Sequence, residues 1–203
     1  TKPYDRKKWN VFLCKVFLHH IKLIIDNREN PNNVITFFSK SSELHTCVHD
    51  NFVTHGSSGK RAIGEAAANL IPDGSTLFIS IGSTPLSVAQ ALRRRIGLTV
   101  ITNNLSAAMA LSEEVSNRII LPGGEVRLPD RDILGNEVLD FFGRFRADFA
   151  VFGAAGIAED GGLLEFHTTE ASATQKICEN AKQSLLVIDG SKFGRQAPAL
   201  GGN

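Results

Sequence analysis

The feature that most constrains this chain is the stretch Phe78-Ile79-Ser80-Ile81-Gly82-Ser83-Thr84-Pro85-Leu86-Ser87. Its first half, with Leu77 before it, is an apolar run bounded by the turn Pro72-Asp73-Gly74, and so reads as a buried strand. Its second half changes character at Gly82. Thr84 reads as a helix N-cap and Pro85 as the first helical residue, where a missing N–H costs nothing. Leu86, Ala89 and Leu92, with Val88 and Ala91 beside them, then fall on one helical face. A buried strand that passes through a Gly-Ser-Thr turn into a helix brings free N–H groups, a positive dipole end and two hydroxyls together. That combination suits a phosphate or carboxylate, although a plain capped turn has the same sequence.

The same alternation repeats from Lys60 onward. Helices are expected over Lys60–Leu70, Pro85–Arg95, Ser106–Glu114, Asn136–Arg144 and Thr168–Ala181. Strands are expected at 77–81, 98–101, 118–121, 148–152 and 184–188, with Glu125–Leu134 irregular and a tight turn, or a hairpin, at Asp160-Gly161-Gly162. Near-continuous apolar strands between amphipathic helices predict an α/β fold, a mostly parallel sheet with helices on both faces. The five strands end in SIGST, TNN, PGG, GAAG and DGSKFG, all small or polar. Ligands of open α/β sheets bind outside the carboxyl ends of the strands, so these five ends are the place to look for a site.

The texture before residue 59 is different. Trp9–Ile25 has the spacing of an amphipathic helix, Asn27–Asn33 of a loop and Val34–Phe38 of a strand, while Ser39–Gly59 is polar and reads as a solvated loop or helix. The expected division is therefore 1–58, of unknown fold, and 59–203. His45-x3-His49 with Cys47 is a weak metal pattern, because on a helix Cys47 faces away from both histidines and no second cluster accompanies it. No metal or cofactor is expected. Three cysteines, Cys14, Cys47 and Cys178, make neither a metal spacing nor a disulfide framework, which fits a reducing cytoplasm. With 203 residues, 42% hydrophobic, the chain can bury one sizeable core, and its net charge of +1 carries no whole-chain signature of nucleic-acid or membrane binding. No apolar run reaches the roughly 18 residues of a membrane span. The chain begins at Thr1 and stops at Asn203 soon after a motif, which reads as a fragment truncated at its C-terminus.

Among the strand-end turns Lys192 is the one positive side chain, and the expected partner of a phosphate held by Gly82, Ser83 and Thr84. Thr102, Asn103 and Asn104 either bond sugar hydroxyls or cap the next helix. Gly123 and Gly124 read as backbone geometry with N–H groups to offer, and Gly153 as part of the same rim. Glu170 falls in the first turn of its helix, where an acid also complements the dipole. His167 lacks a visible nucleophile or orienting partner, and no G-x-S-x-G, Walker A or H-E-x-x-H pattern occurs. No catalytic residue is assigned.

Taken together, KRAIGEAAANLIPDG (60–74), LFISIGSTP (77–85), LTVITNNL (98–105), ILPGGEVR (120–127), ILGNEV (133–138), FRADFAVFGAAGI (145–157) and LVIDGSKFGR (186–195) resemble the C-terminal effector domain of the DeoR family of bacterial repressors, especially its glycerol-3-phosphate branch. The resemblance implies a ribose-phosphate-isomerase/CoA-transferase-like fold, a phosphorylated sugar or sugar alcohol such as glycerol 3-phosphate as effector, a homo-oligomer, and operator DNA as the family's partner. The family pattern has Asp where this chain has Ser80, and its helix-turn-helix pattern is absent from residues 1–59, so DNA binding is not carried over to this chain. The alternative is a sugar-phosphate isomerase-like enzyme on the same fold. Its paired-Asp and glycine-rich lysine loops do not occur, and Gly153–Ile157 stands where the acidic loop is expected.

Overall fold

Five apolar runs become adjacent strands because their backbone groups find hydrogen-bond partners away from water only inside a sheet. The computed structural model describes residues 21–24, 34–39, 44–50, 57–158, 162–192 and 194–202. In chain order the sheet elements are β1 (Ile21–Ile24), β2 (Val34–Ser39), β3 (Leu44–Asp50), β4 (Thr76–Ile79), β5 (Thr99–Thr102), β6 (Arg118–Ile120), β7 (Val126–Arg127), β8 (Asp132–Ile133), β9 (Ala147–Phe152), β10 (Gly156–Ile157), β11 (Leu163–Glu165), β12 (Ala181–Asp189) and β13 (Ala199–Gly202). The helices are α1 (Ser57–Asn69), α2 (Ser83–Ala91), α3 (Leu105–Leu111), α4 (Asn136–Gly143) and α5 (Thr168–Glu179).

The main sheet runs β1-β2-β3-β12-β9-β4-β5-β6. From β3 to β6 every pairing is parallel, and β1 and β2 add antiparallel strands at one edge. Small antiparallel sheets, β10-β11-β13 and β7-β8, complete the fold. Alternation along the strands divides the core. Leu77, Ile79, Val100, Val151 and Val187 pack with Ile63, Ala67, Val88 and Leu92 of the α1–α2 side. Phe78, Ile101, Ala150 and Phe152 pack with Val138 and Phe142 of α4 and Ala173 and Ile177 of α5. Both faces are thus covered, as the apolar strands predict.

Three expectations need correction. Ile21–Ile24 is a strand paired with β2, not the end of a helix over 9–25, and residues 9–20 lie outside the described residues. Leu44–Asp50 is likewise a strand, not a loop or helix: hydrogen bonds to β2 and β12 on both edges outweigh its polar composition. The sheet therefore reaches back across residue 59. The expected loop at 27–33 lies outside the described residues, as does Cys14. Finally, the stretch Glu125–Leu134 holds the β7–β8 hairpin, whose two-residue strands are too short to leave a pattern.

Candidate functional site

Sheet order decides which strand ends meet. β12, β9, β4 and β5 are consecutive neighbours, so the turns after them lie side by side. β4 leads outward to β5 and β6, whereas β9 and β12 lie on its other side, so the chain reverses its direction of travel across the sheet between β4 and β9. A crevice opens at such a switch point. Here it is an open cleft of about 470 Å3, lined among others by Gly82, Ser83, Thr84, Asn104, Arg127, Gly153, Glu165, His167, Glu170 and Lys192.

The floor of the cleft is the start of α2. The helix begins at Ser83, two residues earlier than expected, with Gly82 as N-cap at φ 105°, a conformation that glycine adopts without strain. The first helical bond runs from Leu86 N–H to Gly82 O at 3.1 Å. Thr84 therefore lies in the first turn and is buried, and Pro85 occupies a position whose N–H needs no partner. The Ser83 and Thr84 N–H groups precede the first intrahelical donor and belong to the positive end of the dipole. Asn104, the N-cap of α3, accepts from Ala107 N–H at 3.0 Å and turns its Nδ2 to Ser80 O at 3.3 Å, bracing the β4–α2 turn from the neighbouring strand.

Positive charge reaches this floor from two sides. Lys192, in the short 3-10 turn after β12, lines the cleft. Burial first, then the Arg195 and Lys60 charges, push its ammonium below the ordinary lysine range, against Asp189 and Glu165. Lys60, at the start of α1, donates from Nζ to Ser83 Oγ at 2.8 Å. Lys192 is thus not the lone cation at these turns, and the second one comes from a helix that precedes the first core strand.

Other residues lining the cleft are acidic. Arg127 of β7 donates from Nε and Nη2 to both oxygens of Asp132, at 2.9 and 2.8 Å, and from Nη2 to Glu170 Oε1 at 2.9 Å. Its Nε also lies 3.3 Å from Asp130. The Asp132 bond, outweighing burial, holds the guanidinium charged above its usual range. Glu170 accepts His167 N–H at 3.3 Å at the start of α5, so it carries both the helix-start role and a link to the β7–β8 hairpin. Glu165 of β11 accepts Ala155 N–H at 3.2 Å. Burial, followed by the Glu170 carboxylate, pushes its carboxyl up to about 7, against the Ala155 bond and Lys192.

Six of the ten expected site residues, Gly82, Ser83, Thr84, Gly153, Glu170 and Lys192, line this cleft. Four are not brought to it. Thr102 is fully buried, donating to Ile79 O at 2.6 Å and accepting from Asn104 N–H at 3.0 Å. Asn103 is 1% exposed and donates to Ile133 O at 2.9 Å. Gly123 and Gly124 follow β6, the outer strand, two strands from β4, which is about 10 Å away at ordinary strand spacing. Lys60, Arg127 and Glu165 escaped the sequence reading, since each comes from a different distant segment and none sits in a strand-end turn. Ser80 is buried with its N–H on Val151 O at 2.8 Å.

With this arrangement in view, comparison with known proteins is decisive. Residues 56–202 match the family model of the DeoR C terminal sensor domain. The chain belongs to the DeoR family. Among curated DeoR-type relatives, the glycerol-3-phosphate regulon repressor of Escherichia coli K12 is 46% identical over 157 residues, 77% of this chain and 62% of the relative. The HTH-type transcriptional repressor CsqR of the same organism is 40% identical over 144 residues, 71% of this chain and 55% of the relative. The chain thus spans some 55–62% of the length of these relatives. A ribose 5-phosphate isomerase A from Methanocaldococcus jannaschii superposes with a TM-score of 0.47 at 18% identity, covering 66% of this chain and 53% of the isomerase. Among the described residues no helix is long and apolar enough to cross a membrane, and no group of three or more His, Cys, Asp or Glu is placed to hold a metal ion.

Proposed function

We propose that this cleft binds a phosphorylated sugar or polyol as effector, glycerol 3-phosphate foremost, and that the chain is the sensing part of a carbohydrate-responsive repressor. The phosphate sits at Gly82, Ser83 and Thr84 against the α2 N-terminus, neutralised by Lys192 and Lys60. The hydroxyls of the carbon chain point toward Asn104, Gly153 and the carboxylates of Glu165 and Glu170. The observation that carries this reading is the convergence of Lys192 and the α2 N-terminus on one cleft at the sheet's switch point, with Lys60 bonded to Ser83 Oγ beside them. The repressor relatives, one of them a glycerol-3-phosphate regulon repressor, support both the role and the ligand class. They weigh against the isomerase-like enzyme, as does the absence of carboxylates from Gly153-Ala154-Ala155-Gly156.

In an intact, oligomeric family member, ligand would have to bind the two arrangements of the DNA-binding domains with different affinity in order to control operator binding. The test is thermal unfolding against phosphorylated C3–C6 sugars and polyols. A ligand that binds only the folded state stabilises it by about 2.7 kcal/mol at a hundredfold excess over Kd. The expected result is a saturable rise in Tm with one compound, abolished in Lys192→Ala. A flat response to every compound by a cooperatively unfolding sample contradicts the proposal.

A further inference from the structure

The cleft carries charge of both signs. The α2 N-terminus and Lys192 line it, with Lys60 bonded to Ser83. In the same cleft one guanidinium faces three carboxylates, with Arg127 at 3.3 Å from Asp130, 2.8 Å from Asp132 and 2.9 Å from Glu170. Asp132 and Glu170 are almost wholly buried, at 1% and 7% side-chain exposure, so this negative excess is poorly screened by solvent. Arg127 is engaged by its own carboxylates and leaves little attraction for an incoming anion. Glu165 lines the cleft within electrostatic reach of both Lys192 and Glu170, its Oε2 fixed by Ala155 N–H.

We infer that Glu165 is the specificity-determining residue of this cleft. Backed by Glu170, it admits phosphate monoesters whose other substituents are neutral hydroxyls and rejects those that carry a second anion. An ionised carboxylate accepts hydroxyl hydrogen bonds but repels a carboxylate or a second phosphate. The inference rests on the cleft being a phosphate-monoester site, and it narrows the ligand class to polyol and neutral-sugar monophosphates.

A pH signature accompanies this selectivity. The Glu165 carboxyl, pushed up to about 7, loses its charge below that pH, and rejection of the second anion weakens there. Glu170 at the start of α5 and Lys192 after β12 act on it electrostatically, and Arg127, Asp130 and Asp132 of the hairpin and His167 line the same cleft. Glu165→Gln removes the charge of this one residue and leaves the other groups of the cleft in place.

The experiment is calorimetric titration of the full chain with glycerol 3-phosphate, 3-phosphoglycerate and inorganic phosphate at pH 8 and pH 6. The phosphate titration common to the two esters largely cancels in their Kd ratio. The wild type should bind 3-phosphoglycerate at least about tenfold more weakly than glycerol 3-phosphate at pH 8, the scale of one unfavourable charge contact. That ratio should shrink at pH 6, and in Glu165→Gln it should be small at both pH values. Equal affinities in the wild type at pH 8 overturn the inference, as does a pH-dependent ratio that persists in Glu165→Gln. Binding of inorganic phosphate but not of glycerol 3-phosphate overturns this inference and leaves an anion site standing. No binding of any of the three overturns the phosphate-monoester reading and this inference with it.

Discussion

Thr102 Oγ1 donates to Ile79 O at 2.6 Å and accepts from Asn104 N–H at 3.0 Å, joining β5, β4 and the start of α3 with no exposure to solvent. Valine has the same shape and neither bond, so Thr102→Val strands a buried acceptor and a buried donor. We expect a loss of about 1–3 kcal/mol, read as a lower denaturant midpoint at unchanged slope. A change within about 0.5 kcal/mol would place these groups in contact with water. Glu165 supplies a second case. Its folded-state value of about 7 lies above the ordinary carboxyl value of 4.5, so the native chain holds the proton more tightly than the unfolded chain. Stability from this site is therefore full at acid pH and is lost as pH rises through about 7. Glu165→Gln should be more stable than wild type at pH 8 by on the order of 1–3 kcal/mol, with the advantage fading toward pH 4.5. Paired thermal unfolding at the two pH values measures it, and a variant less stable at pH 8 contradicts it. Neither role is visible in sequence, because Thr102 looks like any polar strand end and the partners of Glu165 lie in other elements.

At the scale of elements, apolar periodicity was enough to place the core helices and parallel strands to within a few residues. It failed where an element is short or unusually polar. The β7 and β8 strands have two residues each, and β3, Leu-His-Thr-Cys-Val-His-Asp, earns strand geometry only from its neighbours. The N-cap of α2 was displaced because Pro85 suits several first-turn positions equally well. The packing of α1 against α2 sets where the cleft floor stands. A Cβ at Gly64 would meet Ser87 O at 2.4 Å, a backbone atom that cannot yield without moving α2. Gly64→Ala gains about 1 kcal/mol of helix propensity, yet overpacking of this kind typically costs about 1–3 kcal/mol, so a net loss is expected. The variant should melt at lower temperature and bind ligand more weakly, since Ser87 lies one turn from Ser83. An unchanged or raised Tm with unchanged affinity would mean that the two helices separate freely.

For the whole molecule, sequence names five strand ends but not their order in space. Connections of similar length permit several orders, and only the arrangement β12-β9-β4-β5 places Lys192, Gly153, Ser83 and Asn104 side by side while leaving Gly123 and Gly124 outside. The central claim is that a phosphate docks on the α2 N-terminus within this row. It is tested most directly by following backbone amide resonances while glycerol 3-phosphate is titrated into the isotope-labelled chain. The account predicts saturable shifts largest at Ser83 and Thr84, with Gly153 and residues flanking Lys192 following the same isotherm, and their loss in Lys192→Ala. Saturable shifts centred elsewhere, for instance on the exposed arginines Arg93 and Arg94, with Ser83 and Thr84 unmoved, would contradict it.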